Sequence, residues 1–204
     1  MKHSDHTVFN QLNQWLSNKQ QAWLVTVLEI WGSAPRPVGS LMACNTKGET
    51  VGSISGGCIE EELIEKLQDS QFIDNNSTHP FELTLLIEPF LPIQEHQDHC
   101  LTILSALSDR ASIERQANTQ NNQKVAMPTS IQPTLNFQNK SLKHTIGPHS
   151  RLLLIGAGPV SLQVAQLALT LDYEVEVCDP RPRYAQQWTN EDVPLTTEMP
   201  DDVV

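Results

Sequence analysis

The stretch Arg151-Leu152-Leu153-Leu154-Ile155-Gly156-Ala157-Gly158-Pro159-Val160-Ser161 constrains the fold of this 204-residue chain more than any other. A short apolar run reads as a strand that ends in a glycine turn, and Val164, Ala165, Leu167, Ala168 and Leu171 then recur at helical spacing. Tyr173 to Cys178 reads as a second strand, closed by Asp179. Strand, glycine turn, helix, strand and terminal acid in this order are the opening unit of a Rossmann fold. There Gly156 makes the turn, Gly158 lets the backbone approach a phosphate, and Asp179 stands where a ribose hydroxyl is recognised, so NAD(P) or another nucleotide is an expected ligand. Ser161 replaces the third glycine, which affects helix packing more than phosphate approach. A doubly wound sheet needs more strands than these two, so the chain reads as cut short at its C-terminus.

A second glycine turn organises the first half. Thr50 to Ile54 reads as a strand that runs into Ser55-Gly56-Gly57-Cys58, and Ile59, Leu63, Ile64 and Leu67 then mark an amphipathic helix to about Asp69. A helix start leaves N–H groups unpaired and carries partial positive charge, so an anion or a thiolate is stabilised there. A buried, purely structural thiol is the plainer alternative. Glu60, Glu61 and Glu62 complement the helix dipole, and one facing the turn could act as a base. Upstream, Ala22 to Trp31 reads as a central strand, and Gly32-Ser33-Ala34-Pro35-Arg36-Pro37-Val38-Gly39-Ser40 breaks it. A loop with two prolines and one guanidinium, Arg36, suits an oxyanion or carboxylate, with an ordinary surface arginine as the alternative. Leu41 to Asn45 returns as a strand, so a meander can bring the Arg36 loop and the Cys58 turn to one sheet edge.

The remaining chain adds bounds. A first helix begins near Ser4 or Asp5 and repeats Val8, Phe9, Leu12, Trp15 and Leu16 at helical spacing. Phe81 to Glu88 reads as a strand stopped by Pro89, after a polar stretch from Asp74 to Pro80. From about Gln94 to Leu107, Cys100, Ile103, Leu104 and Leu107 form a helix stripe, which puts the Cys100 thiol in the core and His96 and His99 in solvent, with no metal site. Ser108 to Ser150 is crowded with Gln, Asn, Ser, Thr and Pro and reads as a connector between two domains, with room for a pair of short strands. A net charge of −11 argues against nucleic acid and anionic membrane as partners. No apolar window approaches the roughly 18 residues of a membrane span, and no signal peptide opens the chain. Cytoplasmic reduced thiols are therefore expected of Cys44, Cys58, Cys100 and Cys178, which show no C-x-x-C spacing. The expected fold class is α/β: a small α+β domain over 1–108, a linker over 109–149 and a partial Rossmann-like domain over 150–204.

G-S-A-P-R-P-V-G (32–39), G-S-I-S-G-G-C-I-E (52–60), L-L-I-G-A-G-P-V (153–160) and C-D-P-R (178–181) together resemble the XdhC family of accessory factors for xanthine dehydrogenase and related molybdenum hydroxylases. The resemblance implies a two-domain cytoplasmic homodimer that binds molybdenum cofactor, supports its sulfuration by a cysteine-desulfurase-type sulfurase and hands it to the apo-enzyme. It implies further that Cys58, with Ser55, Gly56, Gly57 and Arg36, holds the cofactor, with no catalytic residue of its own. Family members usually carry a second glycine-cysteine motif before the I-E-P sequence, whereas here Phe81-Glu82-Leu83 runs almost directly into Ile87-Glu88-Pro89. Two other readings stand beside this one: an NAD(P)-dependent oxidoreductase built on Gly156, Gly158 and Asp179, and an interaction module without a ligand.

Overall fold

The computed structural model describes residues 4–31, 36–68, 77–80, 83–132, 134–148, 150–171 and 173–203. They form two compact units, Ser4–Gly147 and the segment from Pro148 onward. In the first unit α1 (Ser4–Ser17) leads into β1 (Ala22–Ile30), β2 (Leu41–Asn45), β3 (Thr50–Gly52), α2 (Cys58–Gln68), β4 (Ser77–Pro80) and β5 (Leu83–Phe90). Among the described residues these strands make an antiparallel five-stranded sheet in the order β3-β2-β1-β5-β4. The period of two sorts its side chains between two cores. Trp23, Val25, Met42, Cys44, Leu85 and Ile87 meet Leu63 and Leu67 of α2 on one face. Leu24, Leu41, Ala43 and Phe90 meet Phe9, Leu12 and Leu16 of α1 on the other, together with Cys100 and Ile103 of α3 (Gln94–Ser108). Burial on both faces explains why Ala22 to Leu28 is apolar almost without interruption.

Ser77–Pro80, the end of the polar stretch, pairs with β5, and one expectation at β5 needs correction. Pro89 does not stop β5, which continues to Phe90 with Pro89 opposite Trp23. Phe81 and Glu82 lie outside the described residues.

The expected connector is folded. β6 (Ile113–Asn118), β7 (Lys124–Pro128), β8 (Leu135–Gln138) and β9 (Ser141–Ile146) form an antiparallel sheet in the order β7-β6-β9-β8, and contacts place it in the first unit. Its inward positions do alternate, at Ile113, Arg115 and Ala117 in β6 and at Leu142, His144 and Ile146 in β9. Two of the six are polar, and that hides the strand pattern in the sequence. Asn139 and Lys140, both at positive φ, make the two-residue turn between β8 and β9.

In the second unit β10 (Ser150–Ile155), α4 (Pro159–Thr170), β11 (Tyr173–Cys178), α5 (Pro182–Ala185), β12 (Leu195–Thr196) and α6 (Pro200–Val203) follow in chain order. β10, β11 and β12 are parallel and adjacent in that order. Ala165, Ala168 and Leu169 of α4 pack on Val175 and Val177, the helix-on-parallel-sheet arrangement that the glycine turn and its flanking runs require. The strand at Leu195 is too short to be seen in the sequence. The chain as a whole is of mixed α/β class.

Candidate functional site

Cys58 opens α2, and the turn before it is built around one carboxylate. Glu60 Oε1 accepts the main-chain N–H groups of Ile54 at 3.1 Å, Ser55 at 2.9 Å and Gly56 at 3.2 Å, and Oε2 accepts that of Gly57 at 3.0 Å. The hydroxyls of Ser53 (2.9 Å) and Ser55 donate to the same carboxylate. Ser55 Oγ also accepts from the Ile59 N–H at 3.2 Å, which caps the first turn of the helix. Gly56 and Gly57 have φ of +93° and +127°, the left-handed conformations that let successive N–H groups converge. Burial alone would raise the Glu60 carboxyl, but the hydrogen bonds from Ser55 and Ser53 outweigh it and hold the group well below the usual carboxylate range. The anion expected at Gly56 and Gly57 is therefore already there, and it belongs to the chain. The sequence signal was G-x-x-E, a capping-box spacing in which Glu60 reaches back to the N–H three residues before it.

Arg36 is exposed, and residues 32–35 of its loop lie outside the described residues. The loop re-enters the sheet where the Val27 N–H meets the Ser40 carbonyl at 3.0 Å, and the cysteine turn leaves it where the Ser53 N–H meets Leu41 at 3.2 Å. The structure thus brings the Arg36 loop and the Cys58 turn to the same end of the five-stranded sheet. Beneath the loop is a support that the sequence reading missed. A Cβ on Gly39 would stand 3.2 Å from His144 Nε2, so the loop closes onto that imidazole. Arg115 donates to His144 Nδ1 at 3.4 Å, to Thr26 Oγ1 at 2.8 Å and to both Glu88 oxygens at 3.2 and 2.7 Å. A guanidinium can only donate, so His144 accepts at Nδ1 and keeps its proton on Nε2, the atom facing Gly39. Arg115 and Glu88 are fully buried, and they join the two sheets under the loop.

In the second unit Gly156, at φ +105°, makes the expected turn, and Gly158 caps α4 from an extended conformation. Asp179, expected at a ribose hydroxyl, is engaged by groups of the chain itself. Its Oδ1 accepts from the Arg181 N–H at 3.0 Å and Nε at 2.9 Å, and its Oδ2 accepts from Arg181 Nη2 at 2.9 Å and the Ala157 N–H at 2.8 Å. The side-chain hydrogen bonds of Arg181, followed by that of Ala157, hold its carboxyl well below the usual range. A buried acid with both oxygens engaged ties strand end to glycine turn, and the expectation of NAD(P) loses the group it depended on.

His96 and His99 are buried, not solvated. The sheet missing from the sequence reading covers this side of α3, which explains the error. His96 Nδ1 accepts from the Leu91 N–H at 2.8 Å, and neither ring nitrogen of His99 has a hydrogen-bond partner among the described residues. Burial, helped by the charge of Lys124, lowers His96 to about 4, and burial followed by the charge of Arg115 lowers His99 to about 3, so both rings stay neutral. Burial pushes the Cys44 and Cys100 thiols up to about 12 and raises that of Cys178. None of these three thiols is available as a thiolate near neutral pH. Among the described residues no cluster of His, Cys, Asp and Glu is disposed to hold a metal ion.

The XdhC and CoxI family model matches residues 15–77, the segment that carries both the Arg36 loop and the Cys58 turn. A probable xanthine dehydrogenase subunit from Bacillus subtilis is 24% identical over 217 residues, covering 88% of this chain and 64% of that protein. The molybdenum cofactor insertion chaperone PaoD of Escherichia coli is 25% identical over 187 residues, covering 86% of this chain and 58% of that protein. The chain thus spans less than two thirds of the length of these curated relatives. A crystal structure of a xanthine dehydrogenase from Bacillus halodurans shares the fold with a TM-score of 0.59 at 18% identity, over 97% of this chain and 70% of that one. The resemblance to the XdhC family is borne out.

Proposed function

We propose, from the XdhC and CoxI likeness of residues 15–77, that this chain binds molybdenum cofactor as a cargo and assists its sulfuration and insertion into a molybdenum hydroxylase such as xanthine dehydrogenase. The observation that carries the reading is the convergence of the Arg36 loop and the Cys58 turn at one end of one sheet. A soft thiolate suits molybdenum, and a guanidinium suits the phosphate of the cargo. Cys58 and Arg36 are the holding groups, while Ser55, Gly56 and Gly57 shape the turn around Glu60 and present Cys58 at the helix start. An apo-hydroxylase and a sulfurase are the partners this role requires, and a dimer of the chain in the cytoplasm is the setting the family likeness implies.

The test is reconstitution. Apo-xanthine dehydrogenase given molybdenum cofactor, a sulfurase and this chain regains activity faster than without the chain, and Cys58→Ala removes the difference. Equal recovery with and without the chain refutes the role.

A further inference from the structure

β8 is an edge strand of its sheet, and it pairs with β9 on one side alone. The Thr145 N–H donates to the Thr134 carbonyl at 2.8 Å, so in the antiparallel alternation Thr134, Asn136 and Gln138 turn their main-chain groups toward β9. Leu135 and Phe137 turn theirs outward. Each of the two thus offers an N–H and a carbonyl along the open edge, while its side chain packs inward with Leu28, Leu86 and Leu142. Across a groove of about 380 Å³, Leu28, Glu29 and Thr84 line the side opposite β8. A register shift between Val27 and Glu29 marks a bulge in β1, which re-aims the side chains at this point. Glu29 is exposed, and among the described residues it is the only charged one in the lining. The Trp31 indole, 66% exposed, donates to Thr84 Oγ1 at 3.4 Å, and that hydroxyl donates to Glu29 Oε2 at 3.5 Å. An open aromatic ring and a carboxylate therefore stand together on the side facing the free strand edge.

We propose that β8 and this groove dock an extended, basic segment of a partner protein, which adds a fifth strand to the β7-β6-β9-β8 sheet. The outward main-chain groups of Leu135 and Phe137 hold the segment, as unpaired strand edges do in peptide recognition by strand addition. Its inward side chains fall on alternate residues. Apolar ones meet the floor at Leu28 and Phe137, and a Lys or Arg meets Glu29 with its cation against the Trp31 ring. Charge selects the partner. The lining carries a single negative group and the chain a net charge of −11, so a cationic segment is drawn in and a second copy of this chain is repelled. The groove shares no residue with the Cys58 turn, so the inference stands apart from the carrier role.

Fluorescence anisotropy on the full chain with the labelled peptide Thr-Val-Thr-Arg-Thr-Val-Thr tests it, since the residue order is the same for either strand direction. Binding saturates below about 1 mM, and the peptide with Glu in place of Arg binds at least about tenfold more weakly. Glu29→Gln abolishes that preference with its circular dichroism unchanged, and Trp31→Ala weakens the Arg peptide alone. N-methylation of the Thr residues, or of the Val and Arg residues, removes the N–H groups along one side of the added strand, and one of these two peptides loses binding. No saturation, equal affinity for the Arg and Glu peptides, full affinity in a folded Glu29→Gln, or undiminished binding of both N-methylated peptides overturns the proposal. A concentration-dependent dimer in sedimentation velocity that excludes the peptide also overturns it, because the groove then belongs to a second copy.

Discussion

Glu60 shows how one side chain can set the shape of a site. Four main-chain N–H groups and two hydroxyls converge on its carboxylate, and each would otherwise need water or a ligand. Replacing it by Gln exchanges an acceptor-only group for one whose NH₂ faces donors, so Glu60→Gln is expected to cost about 2 kcal/mol of unfolding free energy, read from urea denaturation. Acid adds a second signature. The folded carboxyl titrates below its ordinary 4.5, so its contribution is full above that value and fades as pH falls below it. His96 acts higher on the scale. Its ring titrates near 4 in the fold against an ordinary 6.5, so the unfolded chain takes up the proton first. The stability of the neutral ring is full above about 6.5 and is lost as pH falls toward 4, by an amount on the order of 3 kcal/mol at most. A pH series of urea midpoints should fall across this window in the native chain, and the fall should shrink in His96→Gln. In the sequence Cys58 stood out because glycines and a helix start announce themselves locally. The partner of its turn was less legible, since Glu60 looked like one of three helix-dipole acids.

At the scale of elements, β3 is short and is pinned by a glycine. Gly52 has φ +83°, and a Cβ there would stand 2.3 Å from the Leu41 carbonyl oxygen and 2.8 Å from Val8 Cγ2. Gly52→Ala should push β3 off both β2 and α1 and cost about 3 kcal/mol or more, seen as a lower melting temperature and faster amide exchange in 50–57. The joint between the two sheets of the first unit gives a different prediction. Removing one partner of a buried ion pair strands the other, so Arg115→Met or Glu88→Gln should each destabilise by about 3–5 kcal/mol, whereas Arg115→Met with Glu88→Leu should recover much of the loss. Denaturation of the three variants measures the difference. β1 was legible as a short, nearly unbroken apolar run and the helices from Ser4 and Gln94 by apolar residues at helical spacing. The β7-β6-β9-β8 sheet was not, because Arg115 and His144 occupy inward positions that only a partner sheet makes sensible. The misplacement of His96 and His99 followed from that single omission, since a helix face cannot be assigned to core without knowing what covers it.

The whole molecule comprises two units whose glycine turns looked alike in sequence and differ in what fills them. Glu60 fills the nest before Cys58, and in the second unit Asp179, clasped by Arg181, is used to fasten the turn it was expected to leave open. Both cases share one physical reason: a cluster of backbone N–H groups attracts the nearest carboxylate, and a chain that supplies its own needs no ligand to fold. The proposed role then turns on Cys58 and Arg36, both within the segment over which the family model matches. Native mass spectrometry of the full chain, purified from cells that make molybdenum cofactor, tests this most directly. A bound molybdopterin mass is expected in the native chain, lost in Cys58→Ala and reduced in Arg36→Gln. Bare protein alone, or equal retention in all three chains, would contradict it.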